Sequence, residues 1–502
     1  MTHLRLSYVA ALAAACLAAC GGEPPTSTLI VNASIVDGTG SPRQVGAVRI
    51  DGERIVEVGA LDPRRGETVV DAGGRVLAPG FIDVHSHHEE GLFEMPDAAP
   101  VVSQGITTIV AGQDGSMTYP VRELFERMEK TPVAINVATF VGHGSLRMDA
   151  MGKDDFRRQA TPEEVEKMRQ GVADGMAAGA LGLATGLEYD PGIYSETAEV
   201  IALAKEAASS GGRYISHVRS EDRDFWAAID EIVSIGREAK IPVQVTHMKL
   251  AMKDWWGQSD RLLAVLDKAR ADGVEVTGDI YPYEFWHSDL TVLFPKRDFK
   301  DLEEARFVLE HVTPADGIIL TSYSPEPALV GKSLADIATE KGTDPAAELL
   351  DLIARSQGEN DQQSIMGRGM VEKDIDALIV WPYASICSDG SLDSLHPRGR
   401  GAFTKVLRTY VREKQLLTLE EAIRKMSGLS AANVGIADRG VIRPGAFADL
   451  VLFDPATVAD RSTFEDPKAL SVGIERVWVN GAEVWVEGKT TGTFPGRGIR
   501  RP

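Results

Sequence analysis

Eight short apolar segments recur along the middle of the chain, and stretches with a helical pattern separate most of them. The segments lie at residues 79–87, 106–114, 132–144, 179–187, 213–219, 242–249, 275–283 and 384–390. Repeated units of strand, turn and helix favour parallel strands that are joined by helical crossovers. Eight such units predict an α/β fold, a closed (β/α)8 barrel of the TIM type that occupies residues 79–439.

The two ends of the chain have a different pattern from the middle. Residues 28–78 and 440–502 contain segments in which apolar and polar residues alternate, as they do in half-buried antiparallel strands. We therefore predict that both ends form one small composite β-sandwich domain. The segment 284–380 is too long for a single barrel connection, so we expect an insertion with its own helices and room for strands.

The charge balance excludes partners that need a basic surface. The 502 residues include 53 Lys and Arg against 74 Asp and Glu, which gives a formal net charge of −21 at pH 7. Nucleic acids and anionic membranes bind concentrated positive charge, so neither is an expected partner. Hydrophobic residues make up 43% of the chain and charged residues 25%, as in an ordinary globular protein.

The first residues have the pattern of an export signal. Arg5 precedes an apolar run that is too short to span a membrane, and Leu17-Ala18-Ala19-Cys20 resembles a bacterial lipobox. We predict a lipoprotein signal peptide at residues 1–19, a lipid on Cys20 and a tether at 20–27. The protein would then be periplasmic and tethered to the membrane through Cys20. A plain signal peptide is the alternative.

Histidines occur at the ends of several predicted barrel strands, where a barrel carries its catalytic groups. His85-Ser86-His87 ends the first strand, and alternate strand residues face the same way, so both imidazoles point to one spot. His217 and His247 end the fifth and sixth segments, and Asp389 ends the last. Each histidine alone is equally consistent with a hydrogen-bonded barrel residue. Together, four histidines and an Asp predict a hydrolytic site with one or two zinc-like ions.

Longer motifs are spread over almost the whole chain. They are Ala78-Pro79-Gly80-Phe81-Ile82-Asp83, Gly105-Ile106-Thr107-Thr108, Gly182-Leu183-Ala184-Thr185-Gly186-Leu187, Thr246-His247-Met248-Lys249, Asp279-Ile280-Tyr281-Pro282-Tyr283, Ser388-Asp389-Gly390, His396-Pro397-Arg398, Ala448-Asp449-Leu450-Val451-Leu452-Phe453-Asp454-Pro455 and Thr463-Phe464-Glu465-Asp466-Pro467. Together with the strand-end histidines, these motifs resemble the amidohydrolase superfamily and, within it, the N-acyl-D-amino-acid deacylases (D-aminoacylases).

This resemblance implies a barrel enzyme with a small β-sandwich that uses zinc to remove the acyl group from N-acyl-D-amino acids. It implies that His85 and His87 bind the first metal ion and that His217 and His247 bind the second. It also implies that Asp389 is the general base and acid. Four positions match those that hold the substrate carboxylate: Lys249, Tyr281, Ser288 and Arg398.

Two stretches depart from the family pattern. D-aminoacylases usually have Asn-Cys-Gly after the second strand, with the cysteine as a metal ligand, whereas this chain has Gln113-Asp114-Gly115. A carboxylate is a harder ligand than a thiolate and is suited to bridging two ions, so we predict that Asp114 is a metal ligand. The alternatives are that Asp114 only forms hydrogen bonds beside one metal, or that Glu188 is the bridge. The stretch Glu284-Phe285-Trp286-His287, before Ser288, lacks the small residues usual there.

Two other functions are compatible with the same residues. A metallo-dipeptidase that acts on dipeptides with a D- or unusual residue would use the same site for another substrate. A catalytically decayed, lipid-tethered binding protein would keep the barrel without the chemistry. Chiral analysis of the products separates the dipeptidase from the deacylase, and the metal content of the purified protein tests the decayed barrel.

Overall fold

A computed structural model describes residues 27–358 and 362–501. The predicted signal peptide, the predicted lipid site at Cys20 and the tether up to residue 26 lie outside the described residues. In the described part of the chain, no helix is both long enough and apolar enough to cross a membrane.

Strands and helices alternate over much of the described chain. The strands are β1 (Ser27–Ile35), β2 (Gln44–Asp51), β3 (Arg54–Gly59), β4 (Thr68–Asp71), β5 (Val76–Pro79), β6 (Phe81–Asp83), β7 (Ile106–Ala111), β8 (Asn136–Thr139), β9 (Val141–Gly142), β10 (Gly182–Gly186), β11 (Arg213–His217), β12 (Val243–Val245), β13 (Val276–Ile280), β14 (Phe285–Ser288), β15 (Ile318–Tyr323), β16 (Gln363–Arg368), β17 (Ala384–Ile386), β18 (Leu450–Phe453), β19 (Ile474–Val479), β20 (Ala482–Val486) and β21 (Lys489–Thr490). The α-helices are α1 (Ala99–Val102), α2 (Val121–Lys130), α3 (His143–Met151), α4 (Pro162–Ala178), α5 (Thr197–Ser209), α6 (Phe225–Ala239), α7 (Ser259–Ala271), α8 (Leu302–Phe307), α9 (Leu334–Lys341), α10 (Pro345–Arg355), α11 (Glu372–Val380), α12 (Arg398–Lys405), α13 (Leu419–Met426) and α14 (Gly428–Val434).

Parallel strands at all eight predicted positions confirm the (β/α)8 barrel. β6, β7 and β8 pair in one group, and β9 to β13 followed by β17 pair in a second. β8 and β9 follow one another within the third predicted segment and join the two groups. The chain just beyond β17 meets the chain beyond β6, because Asp389 N donates to His85 O and His87 N donates to Gly390 O, each at 2.9 Å. The barrel is therefore closed at its carboxyl end.

The two chain ends build one composite sheet, as predicted. Its strand order is β21-β20-β19-β18-β5-β1-β2-β3, and β4 pairs with β1. The ends meet where β18 runs antiparallel to β5, with Val451 opposite Ala78. A separate apolar core draws on both ends and includes Ile30, Leu77 and Trp478. This domain contacts the start of β8, where Asn480 Nδ2 donates to Asn136 Oδ1 at 2.8 Å.

The last residues of the chain lie on the barrel, although the sequence pattern led us to expect all of 440–502 in the sandwich. Val137 N donates to Arg497 O at 3.0 Å, and Ile499 N donates to Val137 O at 2.8 Å. The physical reason is that β8 is the outer strand of its group and has strand partners on one side only. The chain terminus satisfies backbone groups on the other side.

The insertion between β13 and β17 has its own sheet and core. β14, β16 and β15 form an antiparallel sheet in that order. Helices α8, α9 and α10 accompany it around a second cluster of buried side chains that includes Phe294, Leu320 and Leu349. The predicted insertion also contained α11, but this helix packs against α7 and β17 as part of the barrel. The added module therefore ends before Glu372.

Candidate metal centre

The carboxyl ends of three barrel strands bring four predicted residues together. His85 and His87 follow β6, Asp114 follows β7 and Asp389 follows β17, and their ligand atoms all lie within 4.8 Å of one another. His85 Nε2 is 3.6 Å from Asp114 Oδ1 and 3.5 Å from Asp389 Oδ1. His87 Nε2 is 3.4 Å from Asp114 Oδ2 and from Asp389 Oδ1. Ligands about 2.1 Å from a tetrahedral ion lie about 3.4 Å apart, so this spacing suits zinc.

Asp114 also belongs to a second cluster, with His217 and His247. His217 is the last residue of β11, and His247 lies two residues beyond β12. His217 Nδ1 is 3.0 Å from His247 Nε2, which is 3.5 Å from Asp114 Oδ1. The Asp114 carboxylate thus stands between two pairs of histidines, which is the arrangement expected of a bridging ligand.

Buried atoms of these clusters lack partners within the protein. His85 Nε2 and Asp114 Oδ1 are buried and form no hydrogen bond with any described residue. Leaving such a group unpaired costs about 1–3 kcal/mol, so each one indicates a ligand outside the polypeptide. Imidazole nitrogens and carboxylate oxygens are ligands of zinc in hydrolytic sites. The donor set therefore fits one or two zinc ions.

The electrostatics of the clusters favour a bound cation. Burial and Lys249 lower the pKa of His247, but Glu221 and Asp114 outweigh them and raise it to about 10. Burial also opposes protonation of His87, whose pKa Asp114 and Asp389 nevertheless raise well above its usual value. Protonated imidazoles compensate the excess negative charge in both cases. A divalent ion supplies the same compensation and is attracted for the same reason.

Three site residues adopt left-handed backbone conformations at the turns that follow their strands. The φ angles of Asp114, His247 and Asp389 are 52°, 34° and 49°. Residues with a Cβ rarely adopt such angles, and this strain concentrates at functional sites. Gly112, with a φ of 76°, permits the turn after β7, because a Cβ there would lie 2.5 Å from the carbonyl oxygen of Phe140.

Carboxylates hold the outer nitrogens of the second histidine pair. His217 Nε2 donates to Glu188 Oε2 at 2.8 Å, while His217 Nδ1 faces His247. His247 Nδ1 is 2.7 Å from Lys249 Nζ and 3.1 Å from Glu221 Oε1. A carboxylate behind a metal-binding imidazole fixes its tautomer and its orientation. Glu188 thus contacts the His217 nitrogen that points away from His247, and this geometry favours an orienting role over the bridging alternative.

Glu221 and Asp279 are site residues that the sequence reasoning missed. Glu221 lies in Arg219-Ser220-Glu221-Asp222, directly after a buried strand. A run of charged residues at the end of a barrel strand is the sequence feature that could have identified Glu221 as a site residue. Asp279 is fully buried within β13, and its Oδ1 accepts a hydrogen bond from the backbone N–H of His247 at 2.7 Å. An Asp within a predicted apolar barrel strand is the sequence feature that could have identified Asp279.

A cavity of about 380 Å³ opens at the carboxyl end of the barrel, beside Asp114 and Asp389. Lys249, Ser288 and Arg398, three of the four predicted substrate-binding residues, line it. The fourth, Tyr281, is buried, and its hydroxyl has no hydrogen-bond partner among the described residues. The Arg398 guanidinium carbon lies 4.8 Å and Lys249 Nζ lies 5.9 Å from the centre of the Tyr281 ring, so these three residues form one group, and Ser288 shares the cavity with the two cations.

The two cations of this group already contact carboxylates. Lys249 Nζ donates to Glu221 Oε1 and Oε2 at 2.7 and 2.8 Å, and Arg398 Nη1 lies 2.6 Å from Asp389 Oδ2. Burial raises the pKa of the Asp389 carboxyl, but Arg398 and nearby histidines outweigh burial and hold it well below its usual range. Asp389 is therefore ionised at neutral pH and is in the state that accepts a proton.

The chain is similar to known proteins over most of its length. The model of the amidohydrolase family matches residues 68–316 and 385–485. An N-acyl-D-glutamate deacylase of Alcaligenes xylosoxydans xylosoxydans is 37% identical over 491 residues, which cover 93% of this chain and 95% of that protein. A D-aminoacylase of the same organism is 35% identical over 502 residues, with 95% and 98% covered. The crystal structure of an N-acyl-D-glutamate deacylase from Bordetella bronchiseptica, complexed with zinc and a phosphonate inhibitor that mimics the tetrahedral intermediate, is 36% identical, with a TM-score of 0.85 and 94% and 99% of the chains covered.

Proposed function

The chain belongs to the amidohydrolase family, and we propose that it is a zinc-dependent deacylase that hydrolyses N-acyl-D-amino acids to a carboxylic acid and a D-amino acid. The meeting of both histidine pairs with Asp114 and Asp389 at the barrel mouth carries this proposal. The two deacylase relatives match this chain over nearly their full length, and this favours deacylation over the dipeptidase alternative. The complete ligand set argues against a decayed binding protein.

The ligand assignment follows the two clusters. His85, His87 and Asp389 would hold one ion, His217 and His247 would hold the other, and Asp114 would contact both. When bound there, zinc polarises the amide carbonyl and lowers the pKa of a water molecule to about 7.

Asp389 moves the proton in this mechanism. Its Oδ1 faces the histidines of the first cluster, and Arg398 holds its Oδ2. The ionised carboxylate accepts a proton from the attacking water while the oxygen–carbon bond forms. It then donates that proton to the amide nitrogen, so that the C–N bond breaks and the free amine leaves.

The group around Lys249 orients the substrate. We assign Lys249 and Arg398 to the α-carboxylate, and the Ser288 hydroxyl supplies a further hydrogen bond at the cavity wall. Tyr281 is buried beside both cations and packs against them. With the carboxylate held on one side and the carbonyl on the other, only one enantiomer presents its acyl group in the reactive position.

Purified zinc-loaded protein tests this function. N-acetyl-D-amino acids and their L counterparts are supplied as substrates, together with dipeptides that contain a D-residue, and chiral chromatography identifies the products. We expect acetate and the free D-amino acid from the D-substrates. Activity that survives complete metal removal contradicts the proposal, and faster cleavage of the dipeptides supports the dipeptidase alternative.

Lys249→Ala separates binding from chemistry. We expect KM to rise about 10- to 100-fold with a smaller change in kcat, because a charged hydrogen bond to the substrate carboxylate contributes about 1.5–3 kcal/mol. Lys249→Arg is the matched control, since it keeps the charge and recovers part of the loss. A loss confined to kcat would contradict the assignment of Lys249 to substrate binding.

We also propose that the protein is exported and tethered to the membrane through a lipid on Cys20. The apolar run after Arg5 and the sequence Leu17-Ala18-Ala19-Cys20 support this. Labelled fatty acid should be incorporated into the full-length chain, and Cys20→Ser should abolish both labelling and membrane association. Labelling of the Cys20→Ser variant to the same extent would refute the lipid site.

A further inference from the structure

We propose that the substrate's D-amino-acid side chain is apolar rather than acidic and that Trp286 forms one wall of the pocket that receives it. This inference rests on the proposed deacylase function and names the substrate class within it. It sets the chain apart from the relative that is named for D-glutamate.

One side of the cavity is apolar. Ala251, Trp286, Val292, Leu293 and Val312 line it. All except Ala251 belong to the insertion between β13 and β17, and all except Ala251 pack in or against its separate core. When an apolar side chain is transferred from water to contact with such a wall, the free energy gained is proportional to the apolar area that is buried. The wall therefore favours binding of an apolar substrate side chain.

Trp286 is held in place by two glycines. Trp286 and Gly367 are paired across β14 and β16. A Cβ at Gly367 would lie 2.1 Å from the indole, and a Cβ at Gly369 would lie 2.4 Å from it. The ring therefore occupies a slot that any side chain at either position would fill. Its placement is part of the fold of the insertion, so the wall exists before a substrate arrives.

Lys249 and Arg398 are the only Lys or Arg side chains among the described residues that line the cavity. Lys249 is paired with Glu221, Arg398 is paired with Asp389, and the proposed function directs both cations to the α-carboxylate. His287 Nε2 is 3.1 Å from Thr321 Oγ1, and burial lowers the pKa of His287 to about 4, so its ring is neutral.

Further carboxylates line the same cavity. Glu90, Glu188 and Asp222 are among them. The side chain of D-glutamate or D-aspartate would have to give up its water near these negative charges, and no positive partner would replace it. A buried charge without a partner is strongly unfavourable, so such substrates are excluded by electrostatics as well as by the apolar wall.

A substrate panel on the zinc-loaded protein tests this inference. The kcat/KM values of N-acetyl-D-leucine and N-acetyl-D-phenylalanine are compared with those of the D-glutamate and D-aspartate derivatives. N-acetyl-D-glutamine is the control, because it has the shape of the glutamate derivative without its charge. We expect kcat/KM for N-acetyl-D-leucine to be at least about 100-fold higher than for N-acetyl-D-glutamate, with the value for N-acetyl-D-glutamine between them.

The results of this panel distinguish failure of the side-chain inference from failure of the proposed deacylase function. Hydrolysis of the glutamate or aspartate derivative as efficiently as the leucine derivative overturns the side-chain inference and leaves the deacylase intact. Hydrolysis of none of the N-acetyl-D-amino acids overturns the deacylase proposal, and the inference with it.

Two variants locate the wall. Trp286→Ala should lower kcat/KM for the phenylalanine derivative about tenfold more than for N-acetyl-D-alanine, whose methyl group is too short to cover the indole. Val292→Arg adds a cation to the wall and should raise the ratio of D-glutamate to D-leucine activity at least about tenfold. Val292→Met adds comparable length without charge. Equal ratios in these two Val292 variants would contradict the proposed location of the pocket.

Discussion

The two halves of the metal centre are built differently. Next to β6, neither ring nitrogen of His85 is hydrogen-bonded to a described residue, and the His87 side chain is 25% exposed. Next to β11 and β12, His217 and His247 are only 2% exposed, and each outer nitrogen contacts a carboxylate. We therefore expect a bound ion to orient the first pair, whereas side chains of the protein orient the second.

The half of the site that we expect to bind its ion more tightly is not the half that contains the proposed proton carrier. Carboxylates behind metal-binding imidazoles typically contribute 10- to 100-fold to metal affinity. We therefore expect the ion at His217 and His247 to bind more tightly than the ion at His85 and His87. The weaker half contains Asp389, the proposed proton carrier, and Asp114 is the side chain common to both halves.

The largest expected effect belongs to Asp389→Asn. The amide keeps the size of the carboxylate but accepts no proton, so kcat should fall about 1,000-fold, within the usual range for general acid–base groups. Steady-state kinetics measure the fall, and the zinc content of the same preparation is the control. A loss below tenfold, with zinc retained, would remove Asp389 from the chemistry and leave it as a ligand.

Asp114→Ala should disturb both halves together. It removes the side chain that contacts both clusters, so we expect the loss of one ion and a fall of more than about 100-fold in the affinity for the other. Competition with a chelator, followed by metal analysis, measures both. Asp114→Cys is the matched variant, because a thiolate restores a strong ligand and should recover one tightly bound ion. Unchanged affinity in the alanine variant would show that the two halves bind independently.

Stepwise metal removal tests the comparison directly. A graded chelator series should release zinc in two steps whose affinities differ about 10- to 100-fold. His87→Ala should abolish the weaker step and leave the tighter one, whereas His247→Ala should abolish the tighter one. Native mass spectrometry counts the ions at each stage. A single step in the unaltered protein would contradict the proposed difference between the halves.

Strand-end positions were predictable from the sequence, but the partners of the side chains were not. His85, His87, His217 and Asp389 follow from strand periodicity and from the rule that barrels carry their chemistry at the carboxyl ends of strands. The contact of His247 with Glu221 depends on the register between β11 and β12, which no local pattern encodes. The sequence therefore located the site but not its supports.

The same limit applies to charges and to the chain terminus. Lys249 and Arg398 were assigned to a substrate carboxylate, and the fold places each of them against a carboxylate of the protein as well. The motif spacing carries no information on such distances. Likewise, residues 497–499 return to β8 and form hydrogen bonds with the backbone of that strand. Unpaired backbone groups leave no trace in the pattern of side chains.

The smallest expected effect is that of Glu188, and it decides between two roles. If Glu188 only orients His217, Glu188→Ala should weaken the tighter zinc ion about tenfold and spare the weaker one. Glu188→Gln should cost less, because its amide oxygen still accepts a hydrogen bond from His217 Nε2. The visible spectrum of the Co²⁺ form reports the geometry of the tighter site, and that spectrum should change in the alanine variant and recover in the glutamine variant. Loss of both ions from Glu188→Ala would instead identify a bridging ligand, and the tight half would then owe its strength to Glu188 itself rather than to the orientation of His217.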